Sequence, residues 1–357
     1  MRDFALAPEL EELQAAAERL GRTQLEPQVR ESEAAGRWTD AVLEALDSFP
    51  LGGLDVPEEL GGAGAGTIAK VLTLETLARF DASGLAAADR PGQSIGAVLA
   101  CPDSALVTEV LDSCRDGAAQ CAFTVVDPEV GSPGLAWAPG WPRLRWIWVS
   151  EGTELRCHEL PAAAPLAAPI VLAFQASGAA SVALADTEVR GRWQLDARQV
   201  LSMRGRARLW GAAIAVGIAR AAIEETIAYT TDRVVFGKPV AHHQGNAFDL
   251  AYVAARTHAA RLVVRDAAAA FDRGEPDAGY WATQAWLETM DAAFHTTNVG
   301  IQLLGGHGFI VDHLAEKRFR EVRHLAMLAG ARDTAEFDVA AATLEVPDGL
   351  LAALDRT

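Results

Sequence analysis

Apolar residues recur at helical spacing near both ends of the chain, in two stripes with spacings near three, four and seven residues. The first stripe is Leu6, Leu10, Leu13 and Leu20. The second is Phe248, Tyr252, Ala255, Ala259 and Leu262. Residues at such spacings share one face of a helix, so both parts predict helices, and the second stripe predicts a buried face in a helix bundle.

The middle of the chain has a different pattern. Segments 121–126, 144–149 and 180–184 are short, rich in β-branched or aromatic residues, and bounded by Pro, Gly and Asp, which is typical of strands. The sequence therefore predicts an α+β protein, mostly α, with a small β unit between two helical parts. We expect an N-terminal helical domain at residues 1–120, a β domain at 121–197 and a C-terminal helical bundle at 198–357.

The composition is that of a folded, acidic protein. Half of the 357 residues are hydrophobic, and 48 Asp and Glu against 31 Lys and Arg give a formal charge of −17. Because nucleic-acid affinity depends largely on Lys and Arg that neutralise phosphates, we expect no nucleic-acid partner. The same argument disfavours an anionic membrane surface as a partner.

The sequence features that report on cellular location favour the cytoplasm. The four cysteines form neither a CxxC pair nor a cluster at zinc spacing, so we expect reduced thiols. The first residues lead directly into an acidic helical pattern without the apolar core of a signal peptide. The most apolar window, Leu160 to Phe174, contains three prolines and is too short to span a bilayer. These features predict a cytoplasmic protein without a transmembrane helix.

Common catalytic motifs give little support for other chemistries. His242 and His243 are adjacent, and neighbouring side chains on a helix point in different directions, so a structural or hydrogen-bonding role is favoured over a shared metal ion. No Gly-x-Ser-x-Gly elbow is present, which leaves acyl transfer by an activated serine without support.

Several segments in the same order resemble one family, the flavin-dependent acyl-CoA dehydrogenases, over nearly the whole chain. RVVFGKPV at residues 233–240, followed by a His-Gln pair, is similar to the family's Arg-x-x-Phe-Gly-Lys segment and downstream Gln. QLLGGHGF at 302–309 is similar to its Gln-x-x-Gly-Gly-x-Gly-aromatic element. Weaker similarities are EKRFRE at 316–321, VPEELGGAG at 56–64, DFAL at 3–6, and CAFTVVDPEVGS at 121–132, a decayed form of the family's first β-domain strand and turn.

The resemblance implies N-terminal helices, a small β-barrel or sandwich, a C-terminal four-helix bundle, and an oligomer in which each FAD is shared between two subunits. The C-terminal elements would hold the ADP half of a neighbouring subunit's FAD. An arginine forms charge-assisted bonds to a pyrophosphate, and paired glycines let backbone approach it closely. An alternative remains open, in which the arginine only caps a helix and the glycines only form a turn. The implied cofactor-binding residues are Arg233, Phe236, His243, Gln244, Gln302, Gly305 and Gly306.

The sequence departs from the family at the catalytic base. Members abstract the α-proton of the thioester with a glutamate in the turn after the charged stretch, where Ala329 stands here, or near the start of the first C-terminal helix, where Ala207 stands. Alanine has no carboxylate and is no general base, so we expect no catalytic residue at either position. Arg208 is similar to an arginine beside the second position and is the implied substrate contact. Asp333 and Glu336, farther downstream, are weak candidates for a replacement base.

The residues that contact the flavin ring are also changed. Val126 stands where the family has a Thr in its first β-domain strand, and the region before Trp146 is too short for the usual hairpin and its Trp-Ile-Thr segment. We interpret Trp146 to Trp148 as the next strand and do not assign it to flavin. The chain thus retains the ADP half of a shared site and lacks its own flavin-ring half.

These departures lead to a main hypothesis and two alternatives. The main one is the non-catalytic subunit of a heteromeric acyl-CoA dehydrogenase for bulky acyl-CoA thioesters, with a homologous partner that carries the catalytic glutamate. The second is a homo-oligomeric enzyme of the same fold, repurposed for other thioester or flavin chemistry. The third is a pseudoenzyme that binds neither flavin nor acyl-CoA, which the retained segments at 233–244 and 302–309 disfavour.

Overall fold

The computed structural model describes residues 6–126, 135–138, 143–161 and 172–345 of the chain. Helices make up its first part, as the sequence predicts. They are α1 (Pro8–Leu20), α2 (Val29–Ala35), α3 (Asp40–Asp47), α4 (Gly66–Ala78), α5 (Leu85–Ala88), α6 (Ile95–Ala100) and α7 (Ser104–Arg115). The predicted family similarities at residues 3–5 and 127–132 lie outside the described residues.

The strands follow, and all three predicted strand segments are confirmed. They are β1 (Gln120–Val126), β2 (Leu135–Ala138), β3 (Leu144–Glu151), β4 (Glu154–Glu159), β5 (Ala180–Ala183) and β6 (Glu188–Gln194). One sheet has the order β1-β3-β4-β6, with β1 parallel to β3 and the other pairs antiparallel. β2 and β5 form a separate antiparallel pair.

The C-terminal part is a bundle of long helices. Its elements are α8 (Ala197–Asp232), the short strands β7 (Val234–Val235) and β8 (Lys238–Pro239), α9 (Gln244–Asp272), α10 (Ala278–Leu304), α11 (Ala315–Leu325) and α12 (Ala331–Thr343). α8 and α10 cross so closely that a Cβ on Gly205 would lie 2.7 Å from the Cα of Gly279. The absence of side chains at Gly205 and Gly279 permits this close approach of the two helices. Within the described ranges, no helix has the length and apolar character needed to cross a membrane.

The predicted buried stripe on α9 is wrong. Phe248 and Tyr252 are 65% and 51% exposed, and Ala255 and Ala259 also face solvent. The buried face of α9 is instead made of smaller residues, Val253, Thr257, Ala260, Val264, Ala267, Ala268 and Ala270. Small side chains let α9 approach the neighbouring helices closely, and the larger apolar residues remain on the outside of the single chain.

Buried ion pairs join the N-terminal helices to the C-terminal bundle. Glu75 on α4 is 1% exposed and accepts a hydrogen bond from Arg261 Nε on α9 at 2.6 Å, and it also pairs with Arg220 on α8. Lys317 Nζ on α11 lies 2.8 Å from Asp81 Oδ1, just after α4. Because an unpaired buried charge is costly, these contacts fix how α4 packs against α8, α9 and α11.

Candidate functional site

The segment that resembles an ADP-binding element lies where α8 ends. Arg233 follows the last helical residue, and its backbone N–H donates to Tyr229 O at 2.9 Å. Its side chain is exposed and forms no ion pair or hydrogen bond with any described residue. A guanidinium that is left without a carboxylate partner at the surface is available to an external anion.

Phe236 and Gly237 form the turn between β7 and β8. Both have positive φ, 52° and 80°, as a two-residue type I′ hairpin requires. This backbone is rare for a bulky residue, and it places a phenyl ring that is 94% exposed at the tip of the hairpin. An aromatic ring held outward in this way offers a flat surface for contact with another molecule.

His243 and Gln244 follow the hairpin at the start of α9. His243 Nε2 lies 3.0 Å from Val235 O, so the imidazole is bonded to the backbone of β7, and its ring packs edge-on against Phe236. The predicted hydrogen-bonding role of His243 is thereby confirmed, and its contact with a cofactor remains a prediction. Gln244 is the first residue of α9 and has an exposed side chain.

The second segment lies where α10 ends. Gln302 is exposed in the last turn of α10, and Gly305 has φ 59° and ψ −133°, a conformation open essentially to glycine alone. A Cβ added at Gly305 or Gly306 would meet no atom within 4 Å. The backbone of the glycine pair therefore faces open space, as close approach to a ligand requires.

One hydrogen bond joins the two segments. Tyr229, one helical turn before Arg233, contacts His307, directly after Gly306, with 2.7 Å between the phenol oxygen and Nδ1. The two residues are 78 positions apart in sequence. The structure thus brings together, at one end of the bundle, the predicted cofactor residues of both segments. Sequence reasoning missed Tyr229 and His307, although the spacing of four between Tyr229 and Arg233 places both on one helix face.

Both predicted positions of the catalytic base are buried alanines. Ala207 and Ala329 are 0% and 4% exposed and belong to the same hydrophobic cluster, so the two positions lie in one region of the interior. The two weak replacement candidates are elsewhere: Asp333 and Glu336 are exposed on α12, and Glu336 pairs with Arg332 at 2.6 Å. Neither acid faces this cluster.

Arg208, the predicted substrate contact, is fully buried in an ion pair. Its Nη1 lies 2.7 Å from Asp338 Oδ2 on α12 and donates to Thr283 Oγ1 at 3.2 Å. Burial lowers the pKa of Arg208 from its ordinary value, and the Asp338 carboxylate opposes that shift. Arg204, one turn earlier, donates to the other oxygen of Asp338 at 2.9 Å. Arg208 is thus paired within the chain in this structure, and its contact with a substrate remains a prediction.

The residues near the expected flavin-ring region are closely packed. Trp146, Ile147 and Trp148 are all 0% exposed in the interior strand β3, so this segment is a strand. It is not the next strand after β1, because β2 lies between the two along the chain. Val126 is half-buried at the end of β1. A shallow recess beside β1 is lined by Ala86, Gly92, Gln93, Cys121, Ala122, Phe123 and Trp210. Cys121, in this recess, is buried beside Cys114 with their sulfurs 3.5 Å apart.

Comparison with known proteins agrees with this arrangement. Residues 7–101 match the acyl-CoA dehydrogenase N-terminal domain, and residues 197–344 match the acyl-CoA dehydrogenase C-terminal domain. The chain belongs to the acyl-CoA dehydrogenase family. The C-terminal match includes both segments of the site described above and both alanines at the base positions.

Relatives with the same fold extend over nearly the whole chain. The probable acyl-CoA dehydrogenase FadE25 of Mycobacterium tuberculosis H37Rv is 28% identical over 360 residues, which cover 90% of this chain and 91% of the relative. A glutaryl-CoA dehydrogenase from Mycobacterium smegmatis in complex with FADH2 has a TM-score of 0.80 at 18% identity and covers 96% of each chain. The Tcur3481-Tcur3483 steroid ACAD has a TM-score of 0.76 at 21% identity, covering 94% of this chain and 98% of its own. At such identities the structural matches establish the fold, which confirms the expected fold class.

Proposed function

We propose that this chain is the non-catalytic subunit of a heteromeric, FAD-dependent acyl-CoA dehydrogenase. Its homologous partner would carry the catalytic glutamate, and this chain would lend the ADP-binding half of a shared FAD site. The observation that carries the proposal is an asymmetry within one chain. The interior region that would hold the base contains Ala207 and Ala329, while the end of the bundle presents Arg233 and the Gly305-Gly306 backbone to open space.

The chemistry of the exposed donors fits the diphosphate of FAD. The unpaired Arg233 supplies positive charge in a strongly acidic chain of net charge −17. The glycine pair exposes backbone that no Cβ shields, and Phe236 adds an aromatic surface. FAD, when bound, would accept the hydride from the β-carbon of the thioester. The residues of this chain would bind and orient its ADP half, while the partner's carboxylate removes the α-proton.

The interior supports a non-catalytic role. A general base for the α-proton requires a carboxylate within hydrogen-bond distance of the substrate. Asp338, the carboxylate beside Arg208, is held by two arginines at 2.9 and 2.7 Å. Both oxygens of this carboxylate thus lie against arginines of the same chain.

An exposed apolar surface surrounds the site. Phe236, Phe309 and Val311 are 94%, 73% and 68% exposed. Apolar side chains of this size, grouped around a polar site, are typical of protein interfaces. A protein of the same fold, the Tcur3481-Tcur3483 steroid ACAD, is named for two proteins and for a steroid, which favours an unlike pair and a bulky substrate for this chain.

Native mass spectrometry with a flavin count tests the proposal. The chain is expressed alone and together with an acyl-CoA dehydrogenase that is encoded beside it and has the catalytic glutamate. We expect a mixed oligomer with one FAD for each pair of unlike chains, and dehydrogenation of an acyl-CoA only by that oligomer. A stable homo-oligomer that is fully active alone would refute the proposal, and its flavin content would identify a repurposed flavoenzyme.

A further inference from the structure

Tyr229 and His307 connect the two halves of the candidate diphosphate site. Tyr229 lies on α8 four residues before Arg233, and His307 lies between Gly306 and Gly308 in the turn after α10. Their 2.7 Å hydrogen bond is the contact that spans the two segments. We propose that Tyr229 and His307 are positioning residues that fix the Gly305-Gly306 backbone relative to Arg233 before FAD binds. This inference rests on the proposed function.

A second group of contacts supports this pair. The ring of His313 packs edge-on against Tyr229, with centroids 5.6 Å apart, and lies 5.5 Å from the ring of His307. Glu225, one turn before Tyr229 on α8, lies 3.4 Å from His313 Nδ1 and accepts from Leu314 N at 3.2 Å. The same carboxylate pairs with Arg318. Glu225 and Tyr229, one turn apart, thus form a face of α8 that holds the turn after α10.

The chemistry of the pair gives His307 a direct role as well. With the Tyr229 hydroxyl donating to Nδ1, the neutral imidazole carries its proton on Nε2. Nε2 has no partner among the described residues, and His307 is exposed beside the glycine pair. In that tautomer, His307 presents an N–H donor next to the backbone that would meet the diphosphate.

Preorganisation explains why the link matters for binding. The turn after α10 contains Gly305, Gly306 and Gly308, and glycine loses more conformational freedom on ordering than any other residue. A turn that is already fixed to α8 does not have to be ordered when the cofactor binds, and the affinity is higher by that amount.

The test uses the co-expressed complex, stripped of flavin and titrated with FAD and, separately, with FMN, which lacks the adenosine half. Binding is followed by quenching of flavin fluorescence. We expect Tyr229→Phe to weaken FAD about 3- to 10-fold, the effect of one lost hydrogen bond. His307→Ala removes that bond and the exposed donor, and we expect about 10-fold or more. His307→Asn places an amide oxygen near the Nδ1 position and should recover part of the loss.

FMN serves as the readout for specificity. A positioning role at the diphosphate and adenosine weakens FAD more than FMN, which keeps only one of the two phosphates, whereas general damage to the fold weakens both equally. Tyr280→Phe is the matched control, because it removes a phenol that contacts Thr343 at 3.2 Å near the start of α10, far from the glycine turn. We expect its FAD affinity to stay within about two-fold of the unmodified complex, as for a surface hydrogen bond.

The outcomes separate this inference from the proposed function. If Arg233→Met weakens FAD while Tyr229→Phe and His307→Ala do not, the positioning role is wrong and the proposed function stands. Equal weakening of FAD and FMN would also overturn the positioning role. If the mixed complex binds no FAD, or if Arg233→Met does not change the FAD affinity, this chain does not bind the ADP half of FAD. The proposed function and the positioning role are then both wrong.

Discussion

The substitution Asp338→Ala tests whether Asp338 neutralises buried arginines in the interior of this chain. The Asp338 carboxylate contacts Arg204 at 2.9 Å and Arg208 at 2.7 Å. Arg204 would keep its bonds to Ser150 Oγ at 3.0 Å and Gly152 O at 3.1 Å. Arg208, which is 0% exposed, would keep only its 3.2 Å bond to Thr283. The variant therefore leaves two buried guanidiniums without a counter-charge, and Arg208 with a single hydrogen bond.

The expected loss of unfolding free energy follows from the buried charge that the variant leaves unpaired. Removal of one partner of a buried ion pair costs about 3–5 kcal/mol, because the remaining charge stays desolvated. We expect Asp338→Ala to lie in this range, and Asp338→Asn to cost less since the amide oxygen still accepts from one arginine. Glu336→Ala is the matched control on the same helix. Glu336 pairs with Arg332, but the two side chains are 52% and 51% exposed, so its loss should cost at most about 0.5 kcal/mol.

The assay is urea unfolding of the full chain, followed by tryptophan fluorescence and by helix circular dichroism. Coincident transitions from the two probes are needed before midpoints are converted to free energies. We expect a clear shift of the midpoint for Asp338→Ala and almost none for Glu336→Ala. Equal, small shifts for both variants would refute the reasoning that Asp338 neutralises a buried arginine.

Three further predictions concern the cofactor site, pH and the base position. Arg233→Met should weaken FAD binding to the mixed complex about 10- to 100-fold, the cost of a lost charge-assisted hydrogen bond. Binding is measured by flavin fluorescence, and the control is Arg198→Met, which removes an exposed cation at the other end of α8. Burial raises the pKa of Glu321 to about 7, so between about pH 4.5 and 7 the folded chain holds a proton that the unfolded chain releases. The resulting stabilisation is complete below about pH 4.5 and is lost as the pH rises through 7. In urea unfolding at several pH values, Glu321→Gln should remove this part of the pH dependence of stability. Ala329→Glu should lower the free energy of unfolding by several kcal/mol, because position 329 is 4% exposed. When this chain is the only subunit, the variant should produce no bleaching of flavin with an acyl-CoA. Bleaching would contradict the closed interior.

The sequence predicts the architecture well, because periodicity and strand composition are local properties. The segments 121–126 and 144–149 are strands as expected. Periodicity alone did not identify the buried face of α9. The stripe with Phe248 and Tyr252 is apolar and regular, yet it faces outward in the single chain. An apolar stripe predicts burial against some surface, and it does not specify whether that surface belongs to the same chain.

The features of the site that the sequence did not predict depend on contacts between residues far apart in the chain. Motif order led to Arg233 and to Gly305-Gly306, but not to the bond between Tyr229 and His307, 78 positions apart. Similarly, Arg208 was predicted at the substrate, while the structure pairs it with Asp338 on a helix formed much later in the chain. A buried arginine requires a carboxylate, and the sequence offers 48 acidic residues without specifying which one is near.

The closed interior and the open end of the bundle both depend on α8. Arg208 and Arg233 are about 25 residues apart on or directly after this helix, which corresponds to roughly 37 Å at 1.5 Å per residue. At that distance two charges in salt solution hardly interact, since the Debye length is about 8 Å at physiological ionic strength. The charges of the buried Arg208–Asp338 pair therefore have almost no electrostatic effect on Arg233 at the other end of α8. Under the proposed function, a subunit without its own base would therefore fill its interior for stability and still present an ADP-binding surface to its partner.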